Sequence, residues 1–148
     1  MSVVIDRLGY GRSDKPAGSG SCFGGQADIA HQIVQQLRSG RYDGVVSPRF
    51  RRIALAGHSA GGLTAETEAF SFADVDAIAV IAYADQPLTP VAQVAADEAA
   101  AICARGGQPV YGTTGPAGYA LLGQTVNEAF SGFFSSVKRW CSGACSRS

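Results

Sequence analysis

Ser59 carries the chemistry most open to inference. It lies in Gly57-His58-Ser59-Ala60-Gly61, a G-x-S-x-G run in which a serine hydroxyl acts as a nucleophile once a base takes its proton. The spacing has a mechanical reason. A chain that reverses from a strand into a helix within one residue strains the backbone at the turn and crowds its neighbours. Gly57 and Gly61 supply that room. Such a turn aims the hydroxyl out at the carboxyl end of the sheet. The helix that follows offers unpaired N–H groups, and that of Ala60 is placed to donate to an oxygen gaining negative charge. The plainer alternative is a glycine-rich turn with an idle serine.

A nucleophilic serine of this kind needs a histidine, and the chain has two, His31 and His58. His31 falls in a predicted helix over residues 26–38. At about 100° per residue the row of Ile29, Ile33 and Leu37 centres about 40° from Ile29, whereas His31 stands at about 200°, near Arg38. His31 is therefore expected on the solvent face. His58 adjoins the nucleophile, but its side chain leaves the turn in another direction, and a base must come within hydrogen-bond reach of the hydroxyl. Its expected role is packing or hydrogen bonding behind the turn.

The elements that must position Ser59 are readable on either side. Ile53-Ala54-Leu55-Ala56 is an apolar strand leading into the turn, and a helix carries on through Leu63 and Phe70. Asp74-Val75-Asp76 then introduces a strand over residues 77–83. Val3-Val4-Ile5, ended by Asp6, has the profile of a strand buried on both faces, with the loop Leu8-Gly9-Tyr10-Gly11-Arg12-Ser13 after it. Strands alternating with helices at this spacing predict an α/β fold with parallel strands. Thr89-Pro90 caps a further helix that Gly106-Gly107 ends. A loop rich in Gly, Thr and Pro runs to about residue 123. Thr125-Val126-Asn127-Glu128 is a capping box before a last helix bearing Phe130, Phe133 and Phe134. Residues 138–148 show no periodicity and are left unplaced.

Composition narrows the partners. The 148 residues are 46% hydrophobic and 16% charged, with 12 Lys plus Arg against 12 Asp plus Glu. That balance offers no field for nucleic acid or an anionic membrane, and the longest apolar run is far too short to span a bilayer. A small-molecule partner fits better. Cys22, Cys103, Cys141 and Cys145 show no zinc-ligand spacing. Neither a metal nor a cofactor is expected. Cys22, in a Gly/Ser loop, and Cys103, near a helix end, are placed for one bridge of the sort secreted proteins carry, but spacing does not give connectivity. Gly9-x-Gly11 does not make a dinucleotide fingerprint, because Asp14 stands where the third glycine belongs.

The segment from Ile5 to Asp14 resembles the D-x-x-G-x-G-x-S loop that α/β-hydrolases carry after their fourth strand. Residues 56–62 resemble the nucleophile elbow after their fifth strand, and residues 75–85 their sixth strand. The resemblance covers about residues 2–85 and implies a partial α/β-hydrolase core over 1–85. Residues 86–137 resemble only the variable helical cap. It implies a serine hydrolase that acts on an ester-like small molecule by acyl transfer, with Ser59 as nucleophile and the Ala60 N–H in the oxyanion hole. The family's histidine follows its eighth strand and its acid usually the seventh, more rarely the sixth, where Asp85 stands. The expectation is thus a fragment of a larger hydrolase, lacking the catalytic histidine and the central strand between Val3-Val4-Ile5 and Ile53-Ala54-Leu55-Ala56. The competing expectation is a noncatalytic binding protein that keeps the scaffold and self-associates through unpaired strand edges.

Overall fold

The computed structural model describes residues 2–42, 48–110, 114–121 and 138–140, with the backbone alone at 121 and 138–140. Two compact units divide the chain, residues 23–86 and residues 1–22 with 87–148. Residues 1–22 thus belong with the later half of the chain.

The unit of residues 23–86 is a small α/β arrangement. Helix α1 (Phe23–Ser39) is followed by strand β1 (Ala54–His58), helix α2 (Ala60–Phe72) and strand β2 (Ala77–Ile81). β1 and β2 pair in parallel, in register from Ala54 opposite Ala77 to His58 opposite Ile81. The parallel pairing agrees with the expected class. Two bonds anchor the start of the ladder: Asp76 N–H donates to the Ile53 carbonyl at 2.8 Å, and Ile53 N–H donates to the Asp76 carboxylate at 2.8 Å. β2 stops before Tyr83 because Ala82 turns to a φ of 51°. α2 ends at Ala73, whose φ of 50° allows its N–H to reach the Ala69 carbonyl at 3.0 Å.

α1 packs against α2. The face α1 buries carries Gln26, Ala27, Ala30 and Val34, and α2 answers with Gly62, Thr64, Ala65 and Glu68. The small residues, rather than the row of Ile29, Ile33 and Leu37, thus mark the buried side; that row is only half-buried. Arg38, in the last turn of α1, ties the unit together. Its guanidinium donates to the Asp74 carbonyl at 2.6 and 3.1 Å, the Arg51 carbonyl at 2.9 Å and the Asp76 carboxylate at 3.0 Å.

The second unit contains helix α3 (Pro90–Ala104) and two short antiparallel strands, β3 (Tyr119–Leu121) and β4 (Lys138–Trp140). Thr89 caps α3, accepting from Ala92 N–H at 3.3 Å, with Pro90 in the first turn as expected. Ala99 and Ala120 are buried together, with Ala95, Ile102 and Cys103 packed against them. Gly18 and Gly118 approach so closely that a Cβ at Gly18 would lie 1.6 Å from the Gly118 carbonyl oxygen. Tyr119 is fully buried and its hydroxyl donates to the Pro16 carbonyl at 2.6 Å. Cys22 and Cys103 are both disulfide-bonded.

Three expectations change here. Val3-Val4-Ile5 forms no strand, and Val4 is 93% exposed. A strand exists only through a partner's ladder, and among the described residues β1 pairs with β2 alone. The stretch expected to be loop up to residue 123 contains β3, and residues 138–140 of the unplaced tail form β4, each too short to show a period. The capping box and the aromatic helix at Phe130, Phe133 and Phe134 lie outside the described residues.

Candidate active site

β1 delivers the chain to Ser59, and α2 leaves from Ala60. The turn between them is a single residue with φ 53° and ψ −122°. A side chain disfavours that region, at a cost on the order of 1–3 kcal/mol, so the surroundings must hold it there. They do so with backbone bonds. Ser59 N–H donates to the Ile81 carbonyl of β2 at 2.8 Å, and the Ser59 carbonyl accepts from Gly62 N–H at 2.8 Å and Leu63 N–H at 3.4 Å. The serine is thereby fixed on both sides while remaining exposed.

The glycines around it do different work. A Cβ at Gly57 would lie 2.0 Å from the Gly61 carbonyl oxygen, so strand and helix can close on each other only with glycine there. Gly62 is nearly as confined, with its Cβ position 3.0 Å from Val80 Cγ1 and 3.1 Å from Tyr83 Cβ. At Gly61 nothing lies within 4 Å among the described residues. The close approach expected of both motif glycines thus applies to Gly57, while Gly61 contributes the carbonyl that Gly57 must clear.

Ala60 opens α2, and its N–H finds no acceptor among the described residues. The first N–H groups of a helix lack intrahelical partners and carry the positive end of its dipole. An oxygen that becomes negative beside Ser59 would meet that field.

His58 is exposed at the end of β1 and makes no hydrogen bond among the described residues, so it does not pack or bond behind the turn. Asp85 is exposed as well. The nearby Tyr83 hydroxyl is pushed up by burial first, then by Asp85 and Glu66.

His31 corrects the expectation more sharply. It is not on a solvent face. Its ring stacks on Phe72 at 3.9 Å between centroids, and Nδ1 lies 2.9 Å from Asp74 Oδ2. Phe72 is the last residue of α2, and Ser59 precedes the first. At about 1.5 Å per residue the helix separates them by roughly 20 Å, so His31 cannot take the serine's proton. Its position follows from the small-residue face: Ala27, Ala30 and Val34 turn the helix so that His31 comes to α2.

That far end of α2 holds a second polar cluster. Glu68 is 0% exposed, and no donor reaches either carboxylate oxygen among the described residues. Burial first, and then the neighbouring Asp74 carboxyl, push Glu68 up to about 7. Burial alone would raise Asp74 too, but its polar neighbours Glu68 and Gln35, and then His31, outweigh it and leave Asp74 below its ordinary value. One ring nitrogen of His31 and one oxygen from each carboxylate lie within 4.8 Å of one another. Sequence reasoning missed this cluster. Its only local trace is a glutamate on the face of α2 that also carries Thr64 and Ala65.

The D-x-x-G-x-G-x-S loop, in the other unit, is organised by Asp6. Its carboxylate accepts from Arg12 N–H at 2.9 Å, and its carbonyl accepts from the Ser13 hydroxyl. Gly11, at φ 47°, leaves no room for a Cβ, which would fall 2.1 Å from Asp6 Oδ2.

No model of a known protein family and no curated protein matches this chain. Among the described residues no helix is long and apolar enough to cross a membrane.

Proposed function

We propose that this chain carries the nucleophile elbow of a serine hydrolase of the α/β-hydrolase kind, acting on ester-like small molecules. The backbone of Ser59 is the observation that supports it: a non-glycine residue with positive φ, exposed, between a parallel strand and a helix N-terminus. In the proposed reaction Ser59 Oγ bonds to the substrate carbonyl carbon while its proton passes to a base. The Ala60 N–H donates to the oxyanion, the alcohol leaves with a proton, and water then releases the acid. His31 lies too far from Ser59 to be that base, and in this reading His58 is not assigned that role either. Fluorophosphonate labelling tests the nucleophile. Covalent label that vanishes in Ser59→Ala is expected, and equal labelling of wild type and variant would sink the assignment.

A second reading has its own support. Ile78 and Ile81 of β2 are 42% and 54% exposed, and Phe70 of α2 is 93% exposed. Surfaces of this kind favour a noncatalytic protein that binds a partner or a second copy of itself. Light scattering that finds a defined oligomer, together with no labelling at Ser59, would favour it.

A further inference from the structure

We infer that His31, Glu68 and Asp74 form a binding site for one divalent transition-metal ion of the zinc class, separate from the elbow. One imidazole nitrogen and two carboxylate oxygens are a donor set that such ions accept, leaving a coordination position open to water. The three donor atoms already lie within 4.8 Å of one another. Drawing them onto an ion at about 2.0–2.2 Å takes small side-chain rotations.

Glu68 supplies the independent observation. It is fully buried on α2 and faces the other two, and neither of its oxygens receives a hydrogen bond among the described residues. Asp74 Oδ1 is in the same condition. Arg38, the cation of this helix interface, is engaged by carbonyls and by Asp76. A buried carboxylate left so needs a proton or a cation. A proton serves one oxygen, whereas a divalent ion neutralises both carboxylates and uses the imidazole as well. Gln35 Nε2 donates to Asp74 Oδ2, the kind of outer contact that orients a metal ligand. His31 and Asp74 side chains are 29% and 16% exposed, which gives an ion its way in. The bound ion would clamp α1 to the C-terminal end of α2.

The test is a titration of the full chain, stripped with a chelator under non-reducing conditions, with Zn²⁺ alone at neutral pH. One ion per chain is expected, with a higher melting temperature. Co²⁺ in the same site should give visible absorption that Zn²⁺ abolishes. His31→Gln and Asp74→Asn, at part-exposed positions, should each weaken binding about 10- to 100-fold. His58→Gln should leave it unaltered. These two partly exposed variants carry the test even if Glu68→Gln fails to fold. Folded wild type that takes up no ion would overturn the inference in favour of a proton-only cluster. Undiminished affinity in His31→Gln and Asp74→Asn would place the ion elsewhere and overturn it equally.

Discussion

The two ends of α2 are built in opposite ways. At the N-terminal end six consecutive residues, 57–62, make a turn that is strained and exposed at Ser59 and whose parts are all neighbours in the chain. At the C-terminal end His31, Glu68 and Asp74 come from two helices and a following loop, and the polar group at their centre is buried. Strain at one end presents a hydroxyl; at the other a buried polar cluster lies where α1 meets α2. A helix can serve both purposes because its dipole and free N–H groups act only within the first turn, so the interior turns are left to packing.

Substitutions can separate the ends. The largest effect on the fold is expected from Gly57→Ala. Its methyl would strike the Gly61 carbonyl, and the elbow should lose about 3 kcal/mol or more, measured by denaturant unfolding. Gly61→Ala, facing open space in the helix, should stay within about 1 kcal/mol of wild type or stabilise it. Equal costs at the two positions would remove the distinction drawn between them.

The far end should respond to pH instead. In metal-free protein Glu68 has a folded pKa raised to about 7 from an ordinary 4.5. The stability it contributes is fully present below about 4.5 and is lost as pH rises through 7, on the order of 3 kcal/mol in all. Glu68→Gln should flatten that slope without altering labelling at Ser59. Asp76 has the opposite sign. Its carboxyl is held low, first by Ile53 N–H and then by Arg38. Its contribution is therefore present above its ordinary 3.8 and lost as pH falls through the lower folded value. The smallest effect belongs to Ser59→Gly. Glycine accepts the positive φ, so stability should rise by about 1 kcal/mol, minus what the added chain entropy removes, while labelling disappears.

What was legible in the sequence follows the same division. The elbow could be read because its causes are local: an apolar strand, a glycine two residues before the serine, and a helix directly after. The presence and order of β1, β2, α1 and α3 were readable for similar reasons, with Thr89-Pro90 marking where α3 begins, although α1 starts at Phe23 rather than Gln26, β1 runs on to His58 and β2 ends at Ile81 rather than Tyr83. The cluster could not be read, because Ala27 and Ala30 bury the side of α1 that the bulkier Ile29, Ile33 and Leu37 appeared to disown. Close helix approach rewards small residues, and a count of apolar bulk points the wrong way. Val3-Val4-Ile5 failed differently. Its composition suits a strand, but pairing is a property of two segments, and no described segment pairs with it.

The central proposal is that Ser59 is a presented nucleophile for which neither His31 nor His58 serves as base. The most direct measurement is hydrolysis of a short nitrophenyl ester by the full chain and by Ser59→Ala, with and without added imidazole as an external base. Turnover close to the Ser59→Ala control is expected without imidazole, and a serine-dependent increase with it, beyond what imidazole does alone. Robust serine-dependent turnover without imidazole would contradict the claim by showing a working base within the chain. No serine-dependent increase at any imidazole concentration would contradict it from the other side, leaving Ser59 as an idle residue in a strained turn.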